Sequence, residues 1–260
     1  MTLGQLQSDS KPAANKGFSI AGVPCFADTF VQGVSSVLRT KFSAKTPRHR
    51  KPPNRWVQPI GSKWNKIMYD KLFNYLSQYV TLTEEEKRAI ISFDTFRSAK
   101  KGTVLLKEGQ KSDYSYFVLQ GCIRTYYVID GEEKTTAFYT EMEGVTPHCV
   151  INKKPSEYYI SCVEDCILVI SNSKMETETF EKFPKLETLC RIMAEQELAK
   201  EKINFDEFKT SSPEQRYLNL LKKRPDLIQR IPQHQLASYL GIKPQSLSRL
   251  RARILKKNKP

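Results

Sequence analysis

Two short amphipathic segments joined at a glycine, within residues 231–254, constrain the fold of this chain most. Pro232 and Pro244 each stand where a helix can begin, because the first turn needs no backbone donor and favours the φ of proline. The apolar residues that repeat at helical spacing are Leu236 and Leu240 in the first segment and Leu247, Leu250 and Ile254 in the second. We therefore predict two helices that bury these faces against each other.

The junction between the two segments predicts a sharp turn. Gly241 stands where the chain needs a positive φ, and Ala237, four residues earlier, is small enough to let the second helix cross closely. The spacing of Ala237, Gly241 and Leu247 indicates a helix-turn-helix that contacts DNA. The alternative is an ordinary solvated basic helix, which does not require this spacing.

The second helix presents a polar and basic face away from its apolar residues. Gln245, Ser248 and Arg249 lie outward, where arginine can bond the guanine edge and glutamine the adenine edge. Cations beside such a face position a helix on the phosphate backbone without specifying sequence. The candidate backbone contacts are Ser246, Arg251, Arg253, Lys256 and Lys257.

Composition narrows the partner and the compartment. The 260 residues have room for two domains, and the net charge of +14 favours a polyanion, either nucleic acid or an anionic membrane surface. No run approaches the roughly 20 apolar residues of a membrane span, and residues 17–38 make a poor signal peptide. We therefore predict a soluble, cytoplasmic protein without membrane contact. Six scattered cysteines, without metal-ligand spacing, predict reduced thiols, no metal site and no cofactor.

The first 67 residues differ from the rest of the chain. They carry eleven Lys or Arg residues against only Asp9 and Asp28, with prolines among them. Such a segment buries too little apolar surface to offset its ordering entropy, so we expect a disordered extension over residues 1–67. Two further hypotheses are a basic arm on DNA and a segment foreign to the natural product, since a compact-looking sequence begins at Met68.

From Met68 the sequence predicts two short helices and then a β region. Apolar residues at helical spacing run to Tyr79, and the acids after Thr83 mark a second helix start. Glycines and the pair Asp130-Gly131, a signal for a tight hairpin, separate short strand-like runs. These runs are residues 104–106, 116–119, 123–129, 135–139, 158–163 and 166–170. They predict a small antiparallel roll or barrel.

The glycine pattern of residues 101–109 (KGTVLLKEG), 116–121 (YFVLQG) and 130–131 (DG) resembles the cyclic-nucleotide-binding roll of the cyclic-AMP receptor protein and fumarate-nitrate regulator (Crp/Fnr) family of bacterial transcription factors. The order of parts is also similar, and the resemblance covers about residues 68–257. The resemblance implies an α+β chain with an N-terminal antiparallel β-roll and flanking helices, a long dimerisation helix and a C-terminal winged helix-turn-helix. It also implies that the residues that contact bases are Gln245, Ser248 and Arg249.

The predicted domain organisation has four parts. A sensor domain at residues 68–182, a dimerisation helix at 183–209 and a DNA-binding domain at 210–260 follow the extension at 1–67. The residues near a 3-4 repeat that suit a seam between two subunits are Leu186, Leu189, Met193, Gln196 and Ile203. The alternative is a long helix packed on its own roll. Residues 224–230 are too short for an ordinary β-hairpin, which predicts a reduced wing.

The ligand pocket of the resembled family uses a Gly-Glu pair for the ribose and an arginine for the cyclic phosphate. Ser156 stands at the arginine position and Glu157 beside it would repel a phosphate, so we predict that cyclic AMP does not bind. Lys153 or Lys154 is the candidate for binding another anion, and Glu143 completes the candidate effector pocket. The alternative is that both lysines are simply solvated.

The sequence gives little support for an iron–sulfur cluster or a haem, the other sensing groups of the resembled family. An iron–sulfur cluster needs closely spaced cysteines ahead of the roll, where this chain has only Cys25, so no cluster is expected. Haem binding through His148 stays open beside an ordinary packing role for that residue.

Together these features predict a homodimeric, sequence-specific transcription regulator that binds a palindromic operator in double-stranded DNA. RNA polymerase is a further expected partner, and an effector of unidentified class is expected to gate binding. The rival hypothesis is a ligand-binding or protein-interaction module of the same fold that no longer binds DNA. An enzyme is not expected, because no Ser-His-Asp order or phosphate loop stands out and three histidines leave few general bases.

Overall fold

The computed structural model describes residues 58–59 and 62–257, in an order of helices, strands and helices. The strands are β1 (Gln58–Pro59), β2 (Phe96–Ala99), β3 (Val104–Leu106), β4 (Tyr114–Gln120), β5 (Ile123–Ile129), β6 (Glu132–Tyr139), β7 (Gly144–Val145), β8 (Tyr159–Cys162) and β9 (Cys166–Asn172). The helices are α1 (Ser62–Leu76), α2 (Glu84–Ser92), α3 (His148–Asn152), α4 (Ser173–Lys182), α5 (Pro184–Thr210), α6 (Pro213–Lys223), α7 (Pro225–Arg230), α8 (Gln233–Tyr239) and α9 (Pro244–Lys257).

The two predicted N-terminal helices are present as α1 and α2. At the start of α2, the Thr83 hydroxyl accepts a bond from the Glu86 backbone N–H at 3.2 Å, and the Glu86 carboxylate accepts one from the Thr83 N–H at 2.7 Å. This reciprocal cap satisfies two donors at the helix start, as the sequence predicted. Helix α1 begins at Ser62, before the domain boundary expected at Met68. The rest of the predicted extension, apart from the short β1, lies outside the described residues.

The described strands form two antiparallel sheets with the orders β1-β2-β9-β4-β7 and β3-β8-β5-β6. The hairpin predicted at Asp130-Gly131 joins β5 to β6, where Ile129 pairs with Glu132. Asp130 and Gly131 both have positive φ, 53° and 75°, as a tight two-residue hairpin turn requires. The predicted antiparallel roll is confirmed.

Within the described residues, buried apolar side chains gather in three clusters. One fills the roll, with Leu105, Leu106, Ile123, Ile160 and Leu168 at most 1% exposed. A second lies between α1, the roll and the N-terminal part of α5. The third joins the C-terminal helices to three residues of the roll, which are Cys122, Phe138 and Val163. The C-terminal helices and the roll therefore share a core.

The long helix α5 covers the predicted dimerisation segment. The apolar residues predicted to form a seam between subunits are buried in its first half and exposed in its second half. Leu186 and Leu189 are buried against the same chain, and Met193 is half-buried there. Ile203, Phe205 and Phe208 at the other end are exposed. The first half of α5 thus packs on its own roll, which was the alternative to a seam between subunits.

The segment expected to be a reduced wing is the short helix α7. Pro225 occupies its first turn, Asp226 lies near its positive N-terminal end and Arg230 ends it, an order that favours a helix. Leu227 is 2% exposed and anchors the helix in the C-terminal core. The helical start signal at Pro225 therefore produces a helix where a reduced wing was expected.

Candidate nucleic-acid interface

Helices α8 and α9 pack as the sequence predicted, each burying one apolar face. Leu236, Ala237 and Leu247 are fully buried, and Leu240 and Leu250 are at most 5% exposed. Ala237, on the face where α8 meets its neighbours, contributes only a methyl group, so the helices can approach closely. The two helices join at Gly241, whose φ is +69°.

Arg216 of α6 forms hydrogen bonds to this turn and to the end of α5. Its Nε donates to the Leu240 carbonyl at 3.0 Å, and its Nη1 donates to the carbonyls of Phe208 and Ser211 at 3.2 and 2.9 Å. Its guanidinium also lies 4.4 Å from the centroid of the Phe208 ring. The end of α5 is therefore bonded directly to the turn between α8 and α9. Sequence analysis missed Arg216, because its partners lie up to 24 residues away and no local pattern marks them.

The outward face of α9 carries the predicted base-contacting residues. Gln245, Ser246, Arg249 and Lys256 are all exposed. Within the described part of the chain, the Gln245, Arg249 and Lys256 side chains make no hydrogen bond or ion pair. Ser248 is exposed too, but its hydroxyl donates to the Pro244 carbonyl at 3.2 Å and accepts a bond from Gln233 of α8. Gln245, Arg249 and Lys256 therefore stand on one accessible face, with side-chain groups that have no partner in the described chain.

Two residues that were predicted to contact phosphate have partners within the protein instead. The Arg251 guanidinium is 5.6 Å from the centroid of the Tyr217 ring, with Nε and Nη2 buried. Arg253 Nη1 is 3.1 Å from the Glu214 carboxylate in α6. Arg251 follows Leu247 by one helical turn, so it lies beside the apolar seam. Both arginines contact α6 in this structure, and Lys257 is the last residue of α9.

In the candidate effector pocket, Glu143 is bonded within the protein. It accepts bonds from the Thr140 N–H at 2.7 Å, from Arg224 Nη1 at 3.2 Å and from Lys200 of α5. Burial raises the pKa of this carboxyl, but the bonds from Lys200 and Thr140 and the charge of Arg224 outweigh burial and leave the pKa lowered. Glu143 is therefore held ionised against α5 and the α6–α7 junction.

The other candidate pocket residues have a separate set of partners. Ser156 is 4% exposed, and its hydroxyl donates to the Tyr158 carbonyl at 2.8 Å. Lys153 Nζ lies 3.5 Å from the Asp113 carboxylate, and the exposed Lys154 donates its backbone N–H to Asn152. The partners of Glu143 lie in different elements from these, so the structure does not gather the four residues into one bonded group.

Of the residues considered for metal or haem sensing, four cysteines are buried, His148 is exposed and Cys25 lies outside the described residues. No group of three His, Cys, Asp or Glu side chains among the described residues is arranged to hold a metal ion. Cys122, Cys149, Cys162 and Cys166 are buried free thiols, and burial raises the pKa of Cys122. The His148 ring stands edge-on to Tyr158, with 5.5 Å between centroids.

Comparison with known proteins finds one matching domain family and solved structures of similar fold. A model of the cyclic nucleotide-binding domain family matches residues 96–181. The c-di-GMP-responsive global regulator CLP of Xanthomonas campestris aligns with a TM-score of 0.54 and 14% identity, over 67% of this chain and 93% of that one. A variant of CooA from Carboxydothermus hydrogenoformans aligns with a TM-score of 0.50 and 15% identity, over 62% of this chain and 76% of that one. At these identities the likeness is one of fold.

Two further results concern related sequences and membrane helices. No curated protein sequence matches the chain. None of the helices within residues 62–257 is both long and apolar enough to cross a bilayer. The chain thus carries a cyclic nucleotide-binding domain within the fold of the Crp/Fnr-family regulators, as the glycine pattern of its roll predicted.

Proposed function

We propose that this protein is a transcription regulator that binds double-stranded DNA in a sequence-specific manner through α8 and α9. The observation that carries the proposal is the outward face of α9, where Gln245, Arg249 and Lys256 are exposed and bond to nothing else in the described chain. Helix α9 has dimensions that fit the major groove, and its exposed side chains are types that bond base edges and phosphates. The net charge of +14 supports a polyanionic partner.

The residues divide into two roles in this proposal. Gln245, Ser248 and Arg249 contact base edges, with arginine bidentate on guanine and glutamine on adenine. The residues that contact the phosphate backbone are Ser246, Arg251, Arg253, Lys256 and Lys257. Arg251 and Arg253 must exchange their contacts with Tyr217 and Glu214 for phosphates, whereas Lys256 need not.

The active species in this proposal is a homodimer on a palindromic operator. The second half of α5 supports it, because Leu198, Ile203, Phe205 and Phe208 leave 44–59% of their surface exposed. Apolar side chains concentrated on one helix are a common dimer surface. In this organisation residues 68–182 sense, 183–209 dimerise and 210–260 bind DNA, in the cytoplasm and with RNA polymerase as a further partner.

Genome-wide mapping of bound DNA tests the proposal. The expected result is a short palindromic motif with two half-sites, because a two-fold dimer places two copies of α9 in successive major grooves. The matched control is the protein with Arg249→Ala and Gln245→Ala, which keeps the folding surfaces of α9. A wild-type profile without any motif, indistinguishable from the control, would contradict sequence-specific binding. It would favour the rival role of a ligand-binding or protein-interaction module.

A further inference from the structure

Three carboxylates of the roll face three cations of the C-terminal helices. Glu141 and Glu143 lie in the loop between β6 and β7, and Glu164 lies in the turn between β8 and β9. Glu143 bonds Lys200 and Arg224, and the other two carboxylates share one cation, Arg230. The cations come from α5, from the α6–α7 junction and from the end of α7. Opposite charges are therefore paired at three places on the boundary between the roll and the helices.

Arg230 is the centre of this boundary. Its Nη1 and Nη2 donate to the two oxygens of Glu141 at 2.9 and 3.0 Å, and its Nε and Nη2 donate to Glu164 at 3.1 and 2.7 Å. The Glu141 carboxylate also accepts the Gly121 backbone N–H at 2.9 Å. One guanidinium thus bridges two loops of the roll in the forked geometry that only arginine provides.

The surroundings distinguish this cluster from an ordinary surface ion pair. Side-chain exposure is 25% for Arg230, 35% for Glu141 and 28% for Glu164, so the charges are largely shielded from water. Burial raises the pKa of the Glu141 carboxyl, but the hydrogen bonds from Arg230 and from backbone N–H groups outweigh it and lower the pKa. Charged hydrogen bonds are stronger than neutral ones in such shielded positions.

A second contact fixes the first helix of the pair on the roll. Among the described strands, β6 ends the four-stranded sheet, so one of its edges has no neighbour there. At that edge Ser238 of α8 accepts the Thr135 backbone N–H at 2.9 Å and donates to the Glu133 carbonyl at 2.8 Å. Helix α8 therefore covers the edge that a strand would otherwise extend. This contact lies eight residues after Arg230, on α8, which directly precedes α9 in the chain.

We infer that Arg230 is a positioning residue that docks the α8–α9 pair on the roll in one orientation, so that the roll sets the direction of the α9 face. The docking itself follows from the bonds of Arg230 and Ser238, and its effect on DNA affinity rests on the function proposed above. A helix pair released from the roll must be reoriented on each binding event. Affinity for a two-site operator then falls even though every base-contacting side chain is intact.

Amide hydrogen exchange tests the docking without DNA. The Thr135 amide is the reporter, because its acceptor is Ser238, and Arg230→Gln should make it exchange at least about tenfold faster, as expected for lost charged hydrogen bonds. Arg230→Lys keeps the charge without the fork and should fall between Arg230→Gln and wild type. The matched control is Lys100→Gln, which removes an exposed ion pair with Asp165 in the same turn as Glu164 but does not touch the helices.

Operator binding by the same four proteins completes the test. We expect Arg230→Gln to weaken binding to a two-half-site duplex about tenfold while a single half-site duplex is affected less, and Lys100→Gln to match wild type. If Thr135 exchange is unchanged in Arg230→Gln, the docking role is wrong. If exchange is faster but both duplexes bind as in wild type, Arg230 docks the helices without positioning them and the inference fails. If wild type binds no duplex, the proposed function fails, and the exchange rates still decide the docking.

Should Arg230→Gln fail to fold, Glu141→Gln weakens the same cluster from the roll side, because it removes one of the two negative charges that Arg230 bonds. Its expected result is the same faster exchange at Thr135, and unchanged exchange would again overturn the docking role.

Discussion

The loops of the roll and the outward face of α9 use polar side chains in opposite ways. In the roll, Ser156 is buried and Glu143 is half-buried, and both are bonded to groups of the same chain. On α9, Arg249 and Gln245 are exposed and have no such bond in the described chain. A polar group that is already satisfied gains little from a ligand, because the ligand only replaces existing bonds. The free face of α9 is therefore the better candidate for binding.

The two regions also differ in whether their charged side chains are paired. The carboxylates and cations between the roll and the helices neutralise each other and hold the protein together. The α9 cations at Arg249 and Lys256 have no anion beside them in the described chain. An uncompensated cation on an exposed helix attracts phosphate at long range and gives affinity that falls with salt. The cations of Arg249 and Lys256 are thus exposed where they can act on a partner.

Arg249→Ala is the sharpest test of this comparison and has the largest expected effect. A bidentate arginine contact to guanine is worth about 1–3 kcal/mol of discrimination, and the variant should lose about that much on the preferred duplex. Its folding should be unchanged, because the side chain is exposed and clear of Leu247 and Leu250. Titrations of a specific and a scrambled duplex measure the difference between their free energies of binding.

Lys256→Ala is the matched control on the same helix. It should weaken both duplexes alike and reduce the slope of log affinity against log salt by about one unit, as expected for one phosphate contact. If Arg249→Ala instead weakens both duplexes equally, Arg249 contacts phosphate and the assignment of base contacts is wrong.

The two regions also differ in how far the sequence revealed them. Strand β5 has the bounds that its apolar run predicted, and the cap at Thr83 and the turn at Gly131 were visible, because each depends on neighbours in sequence. Their signals are local, since propensity, capping and positive φ act within a few residues.

The partners of the predicted site residues were not visible. Glu143 was assigned to an effector pocket by its position in the sequence, yet it bonds Arg224, which is 81 residues away. Arg251 was assigned to phosphate by its charge, yet it lies over Tyr217. A helical wheel shows the side of the helix and not what packs beside it, so charge alone does not distinguish a ligand contact from an internal one.

Gly241→Ala has the next largest expected effect and asks whether the α9 face depends on the turn. A non-glycine residue in the left-handed region costs about 1–2 kcal/mol, so the free energy of unfolding should fall by about that amount. A Cβ there would also lie 3.2 Å from the Phe208 ring, which is half-exposed and can move. Urea denaturation followed by circular dichroism measures the loss.

Gly241→Asn is the control for this prediction, because asparagine tolerates the left-handed region better than alanine. It is larger than alanine, so it should be less destabilising if backbone strain dominates and more destabilising if the contact with Phe208 dominates. A variant with alanine that is as stable as wild type would show that the turn does not require glycine, and the observed φ of Gly241 would then have no energetic weight.

Cyclic AMP has the smallest expected effect, since we predict none. The position that would hold an arginine for the cyclic phosphate is Ser156, whose hydroxyl is bonded to the Tyr158 carbonyl, and Glu157 adds a negative charge beside it. Calorimetric titration should show no saturable heat at millimolar ligand, which corresponds to less than about 4 kcal/mol of affinity. A thermal denaturation curve measured with the same ligand should not shift, because a ligand that does not bind cannot stabilise the fold. Micromolar binding would require the buried groups around Ser156 to exchange their internal bonds for the phosphate, and the satisfied polar groups of the roll would then be no barrier to a ligand.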